Sequence, residues 1–145
     1  MVAGRELTFA QLQRLPADPV ALRTWIQARV ETGDGSLSSR HAAVTDALAN
    51  LLMYAPVPPQ VRAAAYRALA GMPGIKSTGK IQDRRGREGI GITLPVAVGG
   101  ENRGDPHFIF DPKTALMLAR PRLGAGALVL EAGWTNVAPR IPARP

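Results

Sequence analysis

The sequence predicts an α+β fold, with about four N-terminal helices packed on one face of a C-terminal antiparallel meander of four to five strands. Three observations carry this. Apolar residues recur at helical spacing up to about residue 70 and at alternating spacing from residue 75 onward. Proline and glycine fall between the periodic segments, where caps and turns need them. The later segments follow one another through short turns with no helix between them, which suits antiparallel neighbours rather than crossovers.

The first helix runs from Thr8 to Leu15, with Thr8 and Gln11 at capping-box spacing and Pro16 as its stop. Asp18-Pro19 starts the second, on which Leu22, Trp25, Ile26 and Val30 form one apolar stripe. Trp25 is read as a core residue. Thr32 to Ser38 is a loop by composition, and Ser38 or Ser39 opens the third helix. There Val44, Ala47, Leu48, Leu51 and Leu52 repeat the helical spacing. Pro56, Pro58 and Pro59 stiffen the link to the fourth helix, so the two pack as neighbours. Val61, Ala64, Ala65, Ala68 and Leu69 make its stripe. Gly71 is expected to end it in a left-handed conformation, with Pro73 blocking continuation.

Ile75 to Asp83 alternates as a half-exposed strand, and Arg84-Arg85-Gly86-Arg87 is a turn with glycine available for positive φ. Glu88 to Val98 is the second strand. Ile90, Ile92, Leu94, Val96 and Val98 share one face, while Gly89 and Gly91 leave the other thin; Pro95 marks an edge or bulge. A loop over 99–106 leads to a third strand, His107 to Asp111, with Phe108 and Phe110 on one side. Asp111-Pro112-Lys113-Thr114 turns into a fourth, Leu116 to Arg120, and Ala127 to Val137 is the fifth. One domain is expected over 1–138, helical at 8–71 and sheet at 75–137, followed by an extended or disordered tail at 139–145.

At 145 residues the chain is long enough for its own core. It has no cysteine, which excludes disulfides and thiolate metal sites. The start carries Arg5 and Glu6 and lacks an apolar leader, and no apolar run reaches the roughly 18 residues of a membrane span. As written, the chain is expected to be soluble and cytoplasmic. The net charge of +7, mostly arginine, suits an anionic partner. Nucleic acid is disfavoured, because no binding module accompanies the charge.

Chemistry is sparse. His41 and His107 are too few and too far apart in sequence for a metal site. The glycines of Gly86 to Gly91 lie within a hairpin, not at the strand-to-helix turn that cradles phosphate. Asp83 and Asp111 sit at comparable strand ends and are the one carboxylate pair to consider, though turn residues bonded to backbone explain them more simply. No catalytic residues, metal or cofactor are assigned. Lys76, Lys80, Arg84, Arg85 and Arg87 form the densest basic patch, without the aromatics that stack single strands.

Several segments resemble one family in order and spacing. They are Leu15-Pro16-Ala17-Asp18-Pro19 with Ala21-Leu22-Arg23; Pro58-Pro59 with Arg62 to Leu69; Pro73-Gly74-Ile75; Gly79, Asp83, Gly86-Arg87 and Gly89; and Phe110-Asp111-Pro112 with Thr114. Together, over Leu12 to Leu118, they resemble the extracytoplasmic C-terminal region of an uncharacterised family of actinobacterial membrane proteins, whose genes often lie beside those of extracytoplasmic-function sigma factors. The resemblance implies a cell-envelope origin: a short cytoplasmic start, one membrane helix and an outer domain. This chain lacks that helix, so it is either a soluble relative or a truncated frame. Ala115 stands where the family has glycine, a departure that bears on the tight turn. The family offers no catalytic residues to carry over.

The expected function is a non-enzymatic sensor or binding domain for a protein partner or an amphiphile. Its groove would lie between helices and sheet, lined by Gly89, Gly91, Phe108 and Phe110. The alternatives are a small enzyme or accessory protein of a biosynthetic cluster, using Asp83, Asp111 or His107, and nucleic-acid binding through the Arg84–Arg87 hairpin.

Overall fold

Apolar stripes at helical spacing and alternating runs after them must cover one another, and the computed structural model shows how. It describes residues 2, 6–30, 36–93, 108–120 and 127–129. Four helices come first: α1 (Phe9–Gln13), α2 (Pro19–Gln27), α3 (Leu37–Met53) and α4 (Pro59–Ala70). Five strands follow: β1 (Lys76–Gln82), β2 (Glu88–Thr93), β3 (Phe108–Phe110), β4 (Met117–Arg120) and β5 (Ala127–Leu128). They form one antiparallel sheet in sequence order, the expected meander.

The helix starts follow local chemistry. Thr8 and Gln11 close a full capping box at α1. The Asp18 carboxylate accepts from the Ala21 N–H at 2.8 Å at α2. At α3 the cap is Ser36, whose Oγ accepts from the Ser39 N–H at 3.1 Å. The helix therefore starts at Leu37, earlier than Ser38 or Ser39, and takes His41 inside its first turns. At α4 Pro59 occupies N1 and no side chain caps. Gly71 has φ −89°, so the left-handed exit expected there is absent. Instead the Met72 N–H reaches the Leu69 carbonyl at 3.0 Å, a tightened right-handed turn. The left-handed residue is Gly74, just past Pro73, with φ 81°.

One core joins the halves. Leu22 and Ile26 from α2, Val44, Leu48 and Leu51 from α3, and Val61, Ala65 and Leu69 from α4 form a single buried cluster with Ile92, Phe108, Phe110 and Met117 of the sheet. Fully burying each large aliphatic side chain contributes about 1.5–3 kcal/mol. Tyr66 of α4 meets Phe110 edge-on, with ring centroids 5.6 Å apart. Trp25 packs against this cluster while the Arg29 guanidinium covers its ring at 4.0 Å, so it is a core margin rather than a full core residue. The proline-rich link between α3 and α4 has few donors of its own. Side chains supply them: Gln13 donates to the Pro56 carbonyl at 2.8 Å, and Arg62 to that of Val57 at 3.2 Å.

The first strand differs from expectation. Only Ile81 in β1 is even partly buried; the rest is exposed on both faces. It is the sheet edge, kinked by a bulge between Ser77 and Gly79, where Gly79 has φ 77°. Of the longer strands expected at 88–98 and 127–137, the parts from 94 and from 130 onward lie outside the described residues, as do His107 and the tail at 139–145.

The β3–β4 turn closes although alanine stands where the sequence resemblance leads one to expect glycine. Ala115 takes φ 54° and is buried, and its N–H donates to the Asp111 carbonyl at 2.8 Å. Left-handed alanine costs about 1–2 kcal/mol. Ala115→Gly should therefore leave stability within about 1 kcal/mol of the parent, the strain relief offsetting unfolded-state entropy. Ala115→Val, β-branched at positive φ, should lose about 1–3 kcal/mol; urea unfolding of both variants checks the pair.

Candidate functional site

Pairing register decides where the expected ligand residues lie. Ile90 faces Phe110 and Ile92 faces Phe108 across β2 and β3, while Gly91 faces Ile109. Directly paired residues share a face. Phe108 and Phe110 therefore point with Ile90 and Ile92 toward the helices, and Gly89 and Gly91 point away. The four residues proposed to line one groove sit on opposite faces of the sheet. Neither pair leaves a groove. The two phenylalanines are buried in the helix–sheet core. The space beside the glycines is filled: a Cβ on Gly89 would meet Ile109 Cγ2 at 2.6 Å and the Phe110 carbonyl oxygen at 2.7 Å, and one on Gly91 would strike Thr78 and Ile81. Glycine here admits neighbouring strands rather than a ligand.

The basic patch is partly spent on structure. Asp83 is buried and anchors its own hairpin turn. Its Oδ1 accepts from the backbone N–H groups of Arg85 at 2.8 Å and Arg87 at 3.0 Å, and its Oδ2 from Arg87 Nε at 2.6 Å. Arg87 also donates to the Leu118 carbonyl of β4 at 3.1 Å, tying the hairpin across the sheet. Lys80 pairs with Glu88 at 3.1 Å, an exposed contact. Lys76, Arg84 and Arg85, three of the five cations named from the sequence, are exposed and make no ion pair among the described residues.

Asp111 does the same work at the other hairpin. It accepts from the Lys113 N–H at 2.9 Å and the Thr114 hydroxyl at 2.8 Å. Both aspartates are thus turn anchors, as their simpler reading has it. For Asp83, burial opposes the charged form, yet the hydrogen bonds from Arg87 and Arg85 and the Arg87 charge together hold its carboxyl below the usual range. The Lys113 N–H bond leads in doing so for Asp111, against some burial. Burial pushes Asp46 of α3 up.

A concave feature lies elsewhere. Val2 and Leu7, with Phe9 and Leu12 of α1, form one wall; Asn50 near the end of α3, its C-cap Tyr54, and Ala55 and Pro56 of the link form the other. The half-open cleft has a volume of about 480 Å³, within the roughly 300–1,000 Å³ of small-molecule sites. None of these lining residues is charged. Phe9 and Tyr54 are among the most exposed large apolar side chains, at 54% and 65%. Arg120, at the end of β4, donates to the Tyr54 hydroxyl at 2.5 Å, with its guanidinium 5.7 Å from the ring centre. Sequence reading missed this cleft because its walls come from segments some forty residues apart. Phe9 and Tyr54, apolar side chains off their helices' buried stripes, were the available signal.

Among the described residues no group of three or more His, Asp or Glu is placed to hold a metal ion, and no helix is long and apolar enough to cross a membrane. No family model matches the chain, and no curated protein or solved structure is similar to it.

Two predictions follow from the hairpins. Gly89→Ala should cost about 1–3 kcal/mol, because its Cβ meets backbone that cannot swing aside; a lower urea midpoint with unchanged slope is the expected result. The second concerns acid. Asp83 and Asp111 have depressed folded pKa values, so the unfolded chain takes up protons first as pH falls. Their stabilisation is complete above about pH 4 and lost as pH drops through the folded values. Asp46 has the opposite sign and partly offsets the loss just above that range. Urea midpoints between pH 6 and pH 2.5 should show a steep acid limb that flattens in Asp83→Asn, which also loses about 1–3 kcal/mol near neutrality.

Proposed function

We propose that the chain is a non-enzymatic binding domain of the extracytoplasmic sensor type, taking an amphiphile or an apolar segment of a protein partner. The observation that carries this reading is the cleft between α1 and the end of α3, whose described lining residues are uncharged, with Phe9 and Tyr54 exposed on its walls. Ligand sites are commonly concave and mostly apolar, with a few polar groups that fix orientation; Asn50 and the Tyr54 hydroxyl fit that role. The sequence resemblance to outer domains of actinobacterial membrane proteins supports a place in the cell envelope. The turn roles of Asp83 and Asp111 remove support from an acid–base enzyme built on that pair. The ion pairing of Lys80 and Arg87 likewise weakens the nucleic-acid reading of the hairpin.

Native mass spectrometry and thermal unfolding of the purified chain, with a panel of single-chain lipids and apolar peptides, test the reading. Bound mass and a raised melting temperature are expected with at least one class, and both should be lost in Ala55→Trp, which fills the cleft. A clean apo mass and an unmoved melting temperature across the panel would overturn it.

A further inference from the structure

We infer that the cleft takes a single-chain amphiphile with an anionic head, its tail against Leu7 and Leu12 and its head at Tyr54 and Arg120. The inference rests on the binding-domain reading and specifies its ligand. Three observations lead to it. The described lining residues carry no charge, so an apolar inserted part meets no unpaired ion on them. The polar groups are not spread evenly: the Tyr54 hydroxyl belongs to a largely exposed side chain, so it marks the mouth rather than the floor. That hydroxyl is held by Arg120 at 2.5 Å, and Arg120 makes no ion pair with any carboxylate among the described residues.

Arg120 is therefore a cation beside an apolar cleft, engaged among the described residues by a neutral hydroxyl and an aromatic ring. Guanidinium binds a carboxylate or phosphate more strongly than a phenol, through charge-assisted and bidentate bonds. An anionic head at the mouth would share or replace the Tyr54 bond while the acyl chain covers the apolar walls. The net charge of +7 draws the same class of ligand. A peptide helix fits less well, since it needs anchors at successive turns along a groove. The cleft of about 480 Å³ is one compact recess.

The test uses the full chain, labelled with nitrogen-15, and four probes below their micelle concentrations: dodecanoate, dodecyl maltoside, dodecyltrimethylammonium and an amphipathic helical peptide. Amide shifts locate each probe and titration gives its affinity. Dodecanoate should move amides of Leu7 to Leu12 and Asn50 to Ala55 and bind about tenfold or more tighter than the trimethylammonium probe. Arg120→Gln should bring the two within about threefold, and Arg120→Lys should keep a clear preference for the anion. Equal binding of all three dodecyl probes at these amides would overturn the anionic ligand and leave a binding domain standing. Shifts there with the peptide alone would do the same and point to a protein partner. Amides of the cleft unmoved by every probe would overturn both. The head-group comparison needs no variant, so a poorly folding Arg120→Gln does not rescue the inference.

Discussion

The structure depends on α4 being covered from three directions at once. Its stripe of Val61, Ala64, Ala65, Ala68 and Leu69 is buried against neighbouring helices and the sheet. Alanine at three of the five positions allows those neighbours close approach, and the close-packed interior that results tolerates little change in volume. The same helix reaches the sheet with Tyr66, edge-on to Phe110, and reaches two connections with Arg62. That guanidinium donates to the carbonyls of Val57 and, more distantly, Thr114. A short proline-rich link thereby becomes a fixed joint rather than a tether.

Each hairpin then stabilises itself with one aspartate. Asp83 and Asp111 satisfy turn N–H groups that the strands cannot, and this removes them from the surface as free carboxylates. Arg87 extends the device by bonding both Asp83 and the Leu118 carbonyl. A residue that reads in sequence as one member of a basic patch is in the fold a crosspiece of the sheet. The surviving cations at the edge, Lys76, Arg84 and Arg85, lie beside an exposed strand with a bulge, and charge and bulge together discourage edge-to-edge pairing.

Much of the fold was legible because it is local. A capping box at Thr8, an aspartate–proline start at Asp18, and a glycine at the left-handed Gly86 position each act over three or four residues. The misplacements are equally physical. Gly71 looked like a left-handed stop, but a tightened right-handed turn satisfied the last carbonyls and passed the positive φ to Gly74. Ser36 won the cap from Ser38 and Ser39, and the strand from Lys76 lost its buried face by becoming the edge. The expected groove failed for a reason of parity: Gly89 and Gly91 alternate with Ile90 and Ile92, and register put the phenylalanines with the isoleucines.

By itself, then, the sequence determined the α+β class, the element order, the starts of α1, α2 and α4 and the turn chemistry, since these follow from periodicity and from contacts within a few residues. Only the tertiary structure decided which face of the sheet meets the helices, which cations are spent on carboxylates, and that Val2, Leu7, Phe9 and Leu12 meet Asn50 and Tyr54 to Pro56 around an apolar cleft beside Arg120. Those outcomes depend on pairing register and on the packing of segments distant in the chain, and neither leaves a mark at short range. The stretch from Pro58 to Asp83 shows both sides: its proline start and helical stripe are readable in order, while its work as the joint between helices and sheet exists only once Phe110 and Thr114 have been brought to it.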